Sequence, residues 1–170
     1  YPILLEYTVI NNIFGTTSGY VAFMDEADIG EIFDDFSLTV TEGRLPEENS
    51  YELIMHEDML KNKGLSVGDT FGSAVDEGEQ IDGKYMITGA FSGDSYMAFG
   101  TKSYRQKELE ELGLDFQNTT FGLLVTPKTD LYTMNNMLDT MGHDETAAMT
   151  LSYAKETLQE NISSIKFLMF

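Results

Sequence analysis

Residues 43–71 read Gly43-Arg44-Leu45-Pro46-Glu47-Glu48-Asn49-Ser50-Tyr51-Glu52-Leu53-Ile54-Met55-His56-Glu57-Asp58-Met59-Leu60-Lys61-Asn62-Lys63-Gly64-Leu65-Ser66-Val67-Gly68-Asp69-Thr70-Phe71. Gly43 and Pro46 punctuate a polar loop. Tyr51–Met55 is a run of low polarity with the length of a short buried strand. Glu57 and Asp58 open a helix and Lys61 and Lys63 close it, so both ends match the helix dipole. Gly64 stands where a helix takes its left-handed stop. Leu65 and Val67 are expected to point inward, and Gly68-Asp69 to turn the chain into Thr70-Phe71. The stretch predicts a turn, a strand, a helix, a second turn and the start of another strand.

Toward the N-terminus, Ile3–Ile10 reads as a strand rich in β-branched and aromatic residues. Asn11-Asn12 and Gly15–Gly19 read as a loop, and Tyr20–Met24 as a second strand. Asp25–Asp35 predicts a short helix over Ile29, Ile32 and Phe33. Phe36–Val40 alternates in the manner of a half-buried strand. Toward the C-terminus, Phe71–Val75 and Lys84–Phe91 predict an antiparallel hairpin around an exposed acidic loop, Asp76–Gly83. Gly89 within a strand points to a bulge or close backbone packing. Ser92–Ser95 is a turn and Tyr96–Phe99 a further strand. Ser103-Tyr104-Arg105-Gln106 fits a capping box opening a helix to Leu112, with Gly113 as its stop. Phe121–Thr126 predicts a strand ended by Pro127. Thr129 caps a helix with Leu131, Met134, Leu138 and Met141 on one face, ended by Gly142. Leu151–Phe170 reads as one amphipathic helix on which Leu151, Leu158 and Ile165 repeat every seventh residue; it is either a stalk running toward a membrane or a packed terminal helix. The pattern predicts a mixed α+β fold with a largely antiparallel sheet and helices on one face.

A chain of 170 residues, 42% hydrophobic and 12% aromatic, suits one domain or two small lobes and is not a disordered segment. Its formal charge of −19 disfavours nucleic acid and anionic lipid and attracts cations and basic peptides only as a general bias. With no cysteine, disulfides and thiolate metal sites are excluded, whereas the compartment stays open. No stretch has the 18 to 20 or so apolar residues of a membrane span, and no basic region precedes Tyr1-Pro2-Ile3 as in a signal peptide. The abrupt start and finish suggest a piece cut from a longer protein.

Motifs for chemistry are sparse. Ser152-Tyr153-Ala154-Lys155 matches the Ser-x-x-Lys of penicillin-binding enzymes, but the companion Ser-Asp-Asn and Lys-Thr-Gly elements do not occur. Gly93-Asp94-Ser95 hints at an esterase block that would need a base nearby. His56 and His143 have no helical ligand spacing. In Asp25-Glu26-Ala27-Asp28-Ile29-Gly30-Glu31, Ala27 and Ile29 fall where a calcium loop needs ligands. No phosphate-binding glycine loop is present. Asn118-Thr119-Thr120 and Asn161-Ile162-Ser163 fit glycosylation acceptors. The ten methionines suggest either core filling or a plastic peptide-binding surface. The residues therefore assign no catalytic group, cofactor or metal.

The order Gly-Arg-Leu-Pro, acidic spacer, Glu-Leu-Ile, short helix, Gly-Leu-x-Val-Gly-Asp resembles the extracytoplasmic core domain of MacB/FtsX-type ABC transporter permeases. The resemblance is carried by Gly43, Leu45, Pro46, Gly64, Leu65, Val67, Gly68 and Asp69 and covers about residues 20 to 100. It implies a domain of two lobes, residues 1–93 with 148–170 nearest the membrane and 94–147 as a middle lobe. It also implies a non-catalytic role outside the cell membrane. ATP hydrolysis on a separate cytoplasmic subunit would move the transmembrane helices and, through a stalk, this domain. Implied partners are the chain's own transmembrane helices, the ABC ATPase, a second permease copy, and a peptide, lipoprotein or cell-envelope protein. The alternatives are a freestanding extracellular binding or adhesion module and a small hydrolase using Ser95 or Ser152.

Overall fold

A computed structural model describes residues 1–111, 113 and 120–124. The chain divides into a unit Tyr1–Gly122 and a unit Leu123–Phe170. The first holds strands β1 (Pro2–Asn12) and β2 (Gly15–Met24), helix α1 (Glu26–Asp35), strands β3 (Thr39–Gly43) and β4 (Glu52–His56), helix α2 (Glu57–Lys63), strands β5 (Thr70–Phe71), β6 (Tyr85–Ser92) and β7 (Met97–Thr101), and helix α3 (Lys102–Glu111); strand β8 (Thr120–Leu123) closes the described chain. The helices expected over 129–141 and 151–170, with Ser152, Lys155 and His143, lie outside the described residues, as does most of the expected middle lobe. Its expected start at residue 94 falls just before β7.

The sheet has eight strands in the order β3-β6-β4-β7-β2-β1-β8, with β5 also on β6. Antiparallel pairings join β1 to β2, β3 to β6, β4 to β7 and β5 to β6; parallel ones join β2 to β7 and β4 to β6. This is the mixed, mostly antiparallel α+β architecture that the pattern predicts. The helices divide between the faces. Strand alternation sends Leu53 and Met55 one way and Ile54 and His56 the other. Met59 and Leu60 of α2 and Tyr104 of α3 pack with Leu53, Met55, Val21, Phe23, Ile87 and Ala98. On the opposite face the Phe33 ring of α1 lies 5.1 Å and 5.8 Å from those of Phe91 and Phe99. Tyr1 donates its hydroxyl to Glu31 and Asp35, tying the chain start to α1.

Several local expectations change. Gly15–Gly19, read as a loop, is strand: the turn needs only Ile13 and Phe14, and Thr16, Thr17 and Ser18 pair with Asn11, Ile10 and Val9. Threonine's β-branch suits a ladder, and the glycines that suggested a loop flank the run. The strand expected over Phe36–Val40 begins at Thr39 and is exposed throughout, because Phe36 caps α1 and Ser37 takes φ 55°. The strand expected over Phe71–Val75 stops at Phe71, where Gly72 turns the chain with φ 121°. Ser103 is not the cap of α3, which already begins at Lys102; its hydroxyl donates to Glu48 instead. Among the described residues no helix is long and apolar enough to cross a membrane.

Candidate functional site

The opening stretch folds around one strand. β3 pairs with Phe91 to Gly89 on the outer edge of β6. The Arg44 amide then donates to the Thr88 carbonyl at 3.0 Å. After β4 and α2 the chain returns to that edge: the Gly68 amide donates to Ile87 O at 2.8 Å, and the Ile87 amide to Asp69 O at 2.9 Å. β5 completes the edge against Met86 and Tyr85. The eight residues that carry the resemblance share this frame. Gly43 has φ 69°, and a Cβ there would lie 2.1 Å from Thr88 O. Leu45 is half-buried and Pro46 buried. Gly64 is left-handed at φ 68°, ψ 31°. Leu65 and Val67 pack partly buried against the core. Gly68 takes φ 98°, and Asp69 accepts the Ser66 amide. Gly89 fits both sequence readings: the β4–β6 register shifts beside it, and a Cβ would meet Arg44 O at 2.3 Å.

Two charge networks hold the segment 72–84 against this frame. Lys63 and Glu79 pair at 2.8 Å, with side chains only 8% and 6% exposed. Lys63 also donates to Val9 O and lies 5.0 Å over the Phe71 ring, and Glu79 accepts the Val9 amide. Burial alone would raise Glu79; Lys63, the Val9 amide and the Gln80 amide are chief among the donors that outweigh it and hold the carboxyl below its ordinary range. Buried Arg105 donates to Asp82 O at 2.8 Å and to the Tyr85 hydroxyl at 2.9 Å, and pairs with Glu6 at 3.1 Å. The loop expected to be a freely exposed acidic element is thus anchored at Glu79 and Asp82, with Ile81 fully buried between them. Neither network was visible beforehand, because Glu6, Lys63, Glu79 and Arg105 are far apart in sequence.

The candidate reactive groups are engaged structurally. His56 Nδ1 accepts the Asp58 amide at 3.1 Å, capping α2, and Nε2 meets Gly93 O at 3.0 Å. An imidazole that accepts at Nδ1 carries its proton at Nε2, so both nitrogens are committed to backbone. The structure does bring His56 near the Gly93–Ser95 turn, with its ring 5.6 Å from that of Tyr96. Ser95 is nevertheless buried, and neither imidazole nitrogen serves it. The acidic run 25–31 is helical from Glu26, which removes the alternating loop that a calcium site of that type requires. Glu26 and Glu48 instead accept each other's backbone amides. Among the described residues no three His, Asp or Glu side chains converge on a metal position. A shallow depression of about 440 Å³ is lined by Glu6, Tyr7, Ser18 and Gln80.

The chain is similar to the periplasmic region of MacB from Actinobacillus actinomycetemcomitans. That likeness covers 93% of this chain and 74% of the other at 13% identity, with a TM-score of 0.46. A second likeness, to a domain of a putative permease protein from Porphyromonas gingivalis, covers 83% and 68% at 14% identity, with a TM-score of 0.39. No family model and no curated protein sequence matches the chain.

Proposed function

We propose that this chain is a non-catalytic extracytoplasmic domain of an ABC transporter permease. It would couple ATP hydrolysis on a cytoplasmic subunit to engagement of a substrate or partner outside the membrane. The observation that carries this reading is the arrangement of residues 43–71. Gly43, Gly68 and Asp69 meet β6, Gly64 ends α2, and Leu65 and Val67 pack on the core, which supports reading the motif as scaffold. The commitment of both His56 nitrogens to backbone supports a mechanical rather than a chemical role. The task would be export, antimicrobial-peptide resistance, lipoprotein handling or activation of a cell-wall hydrolase. The helix expected over Leu151–Phe170 would transmit motion between two states of the domain.

The test uses the full-length parent protein in intact cells. The chain has no cysteine, so Glu77→Cys on the exposed part of the 72–84 segment gives this domain a single thiol. The expected result is labelling by a membrane-impermeant maleimide without cell lysis, and co-purification of an ABC ATPase. Labelling only after the cytoplasmic membrane is opened would refute the placement.

A further inference from the structure

The β1–β2 hairpin runs past the body of the sheet. β2 meets β7 only from Tyr20 onward, so Gly15–Gly19 face no third strand among the described residues. Every residue from Asn11 to Ser18 is exposed. At the turn, Ile13 is 91% and Phe14 93% exposed. The Phe14 amide donates to Asn12 Oδ1 at 2.8 Å, which fixes the tip. The chain carries −19, yet Tyr7 to Met24 contains no charged residue.

The two edges of this arm are treated differently. On β1, Glu79 takes the Val9 amide and Lys63 the Val9 carbonyl, while Asn62 bonds both the amide and the carbonyl of Asn11. Side chains thus close that edge. Along Gly15–Gly19 no such closure occurs among the described residues, and the lysine, proline or charge that usually blunts an open edge is missing. Ladder alternation turns every second backbone N–H and C=O there outward.

We propose that this arm is a self-association surface on which two copies of the chain pair their Gly15–Gly19 edges antiparallel about a two-fold axis. Each tip then reaches the start of the other copy's β7, where the large side chain of Tyr96 is exposed. Charge selects the place: elsewhere two copies of −19 oppose each other, whereas the arm brings none of that charge into contact. Backbone chemistry selects a strand over a bilayer, because outward N–H and C=O groups would enter hydrocarbon unsatisfied. Phe14 alone offers about 150–200 Å², so an arm of eight exposed residues makes a contact below the roughly 800 Å² per partner of a standard interface, which fits a weak, concentration-dependent dimer. The proposal stands without the permease reading.

Sedimentation velocity of the 170-residue chain, over a concentration series in low and high salt, tests it. The expected result is a monomer–dimer equilibrium that tightens with salt, as the self-repulsion is screened. Ile13→Asn with Phe14→Asn, and separately Thr16→Lys with Ser18→Lys, should each weaken it about tenfold or more. All four residues are exposed, and the Ser18 hydroxyl also donates to Gln80 Oε1 at 3.2 Å, so circular dichroism and the urea midpoint should stay those of the parent for Ile13→Asn with Phe14→Asn, the pair that carries the comparison. A monomer at every concentration in high salt overturns the proposal, as does a dimer indifferent to both pairs of substitutions. Phosphatidylcholine vesicles that carry down the monomeric parent but not Phe14→Asn would assign the tip to lipid and overturn it as well.

Discussion

Removing Glu79 should be among the most damaging single substitutions in the first unit. Glu79→Ala leaves the buried Lys63 side chain still held by Val9 O and the Phe71 ring but without its counter-charge. Breaking a buried pair from one side costs about 3–5 kcal/mol. The Val9 amide loses its acceptor as well, and an unsatisfied amide adds about 1–3 kcal/mol unless water reaches it. Against a typical total of about 5–15 kcal/mol, a loss near 3 kcal/mol would lower Tm by roughly 6–12 °C. The apolar double variant Lys63→Met with Glu79→Leu should recover most of this, since it removes both charges together. Urea denaturation of the parent, Lys63→Met, Glu79→Leu and the double variant gives the coupling directly. A loss below about 1 kcal/mol for Glu79→Ala, in the range of exposed pairs, would refute the buried latch. Strict additivity of the two single changes would refute it too.

Gly64→Val should cost more than the roughly 1–2 kcal/mol of an ordinary side chain in the left-handed region, because the β-branch crowds the backbone there; nothing lies within 4 Å of the Cβ position, so the penalty is all backbone. Gly64→Asn should cost clearly less, and equal urea midpoints for the two would contradict the assigned conformation. Gly89→Ala should lose about 1–3 kcal/mol or more through overpacking, since its Cβ would sit 2.3 Å from Arg44 O; a parent-like midpoint would show that the β3–β6 edge yields freely. Stability should fall on the acid side. The Glu79 carboxyl is held below its ordinary 4.5, so its contribution is complete above that value and disappears as pH falls through the folded-state value. Urea midpoints taken from neutral pH downward should show a weaker acid dependence in Glu79→Gln than in the parent; identical slopes would dismiss Glu79 as a source.

Much of the fold was legible because local chemistry and the tertiary structure agree. The local signals of Glu57–Lys63 agree with its place in the fold: Glu57 and Asp58 sit in the first turn, Lys61 and Lys63 in the last, and Gly64 is left-handed after it. The misreadings lie where one signal served two outcomes. Gly15 and Gly19 suggested a loop, while Thr16 and Thr17 between them belong to a ladder with β1. Phe36–Val40 alternates as a half-buried strand does, but the end of α1 consumes its first residues and β3 is exposed along its length. Of the candidate site, the turns, strand and helix of residues 43–71 could be read, while the contacts that anchor segment 72–84 could not.

Local sequence by itself determined the turn residues, the α2 boundaries, the acidic surface and the lack of thiol chemistry. These depend on groups a few residues apart or on composition alone. Only the tertiary structure decided that both arms of the opening stretch close on Ile87 and Thr88. Only it showed that Glu79 and Asp82 meet Lys63 and Arg105, and that the β1–β2 arm projects uncharged. Such contacts join residues tens of positions apart, and their free energy exists only once the sheet has set the distances between them.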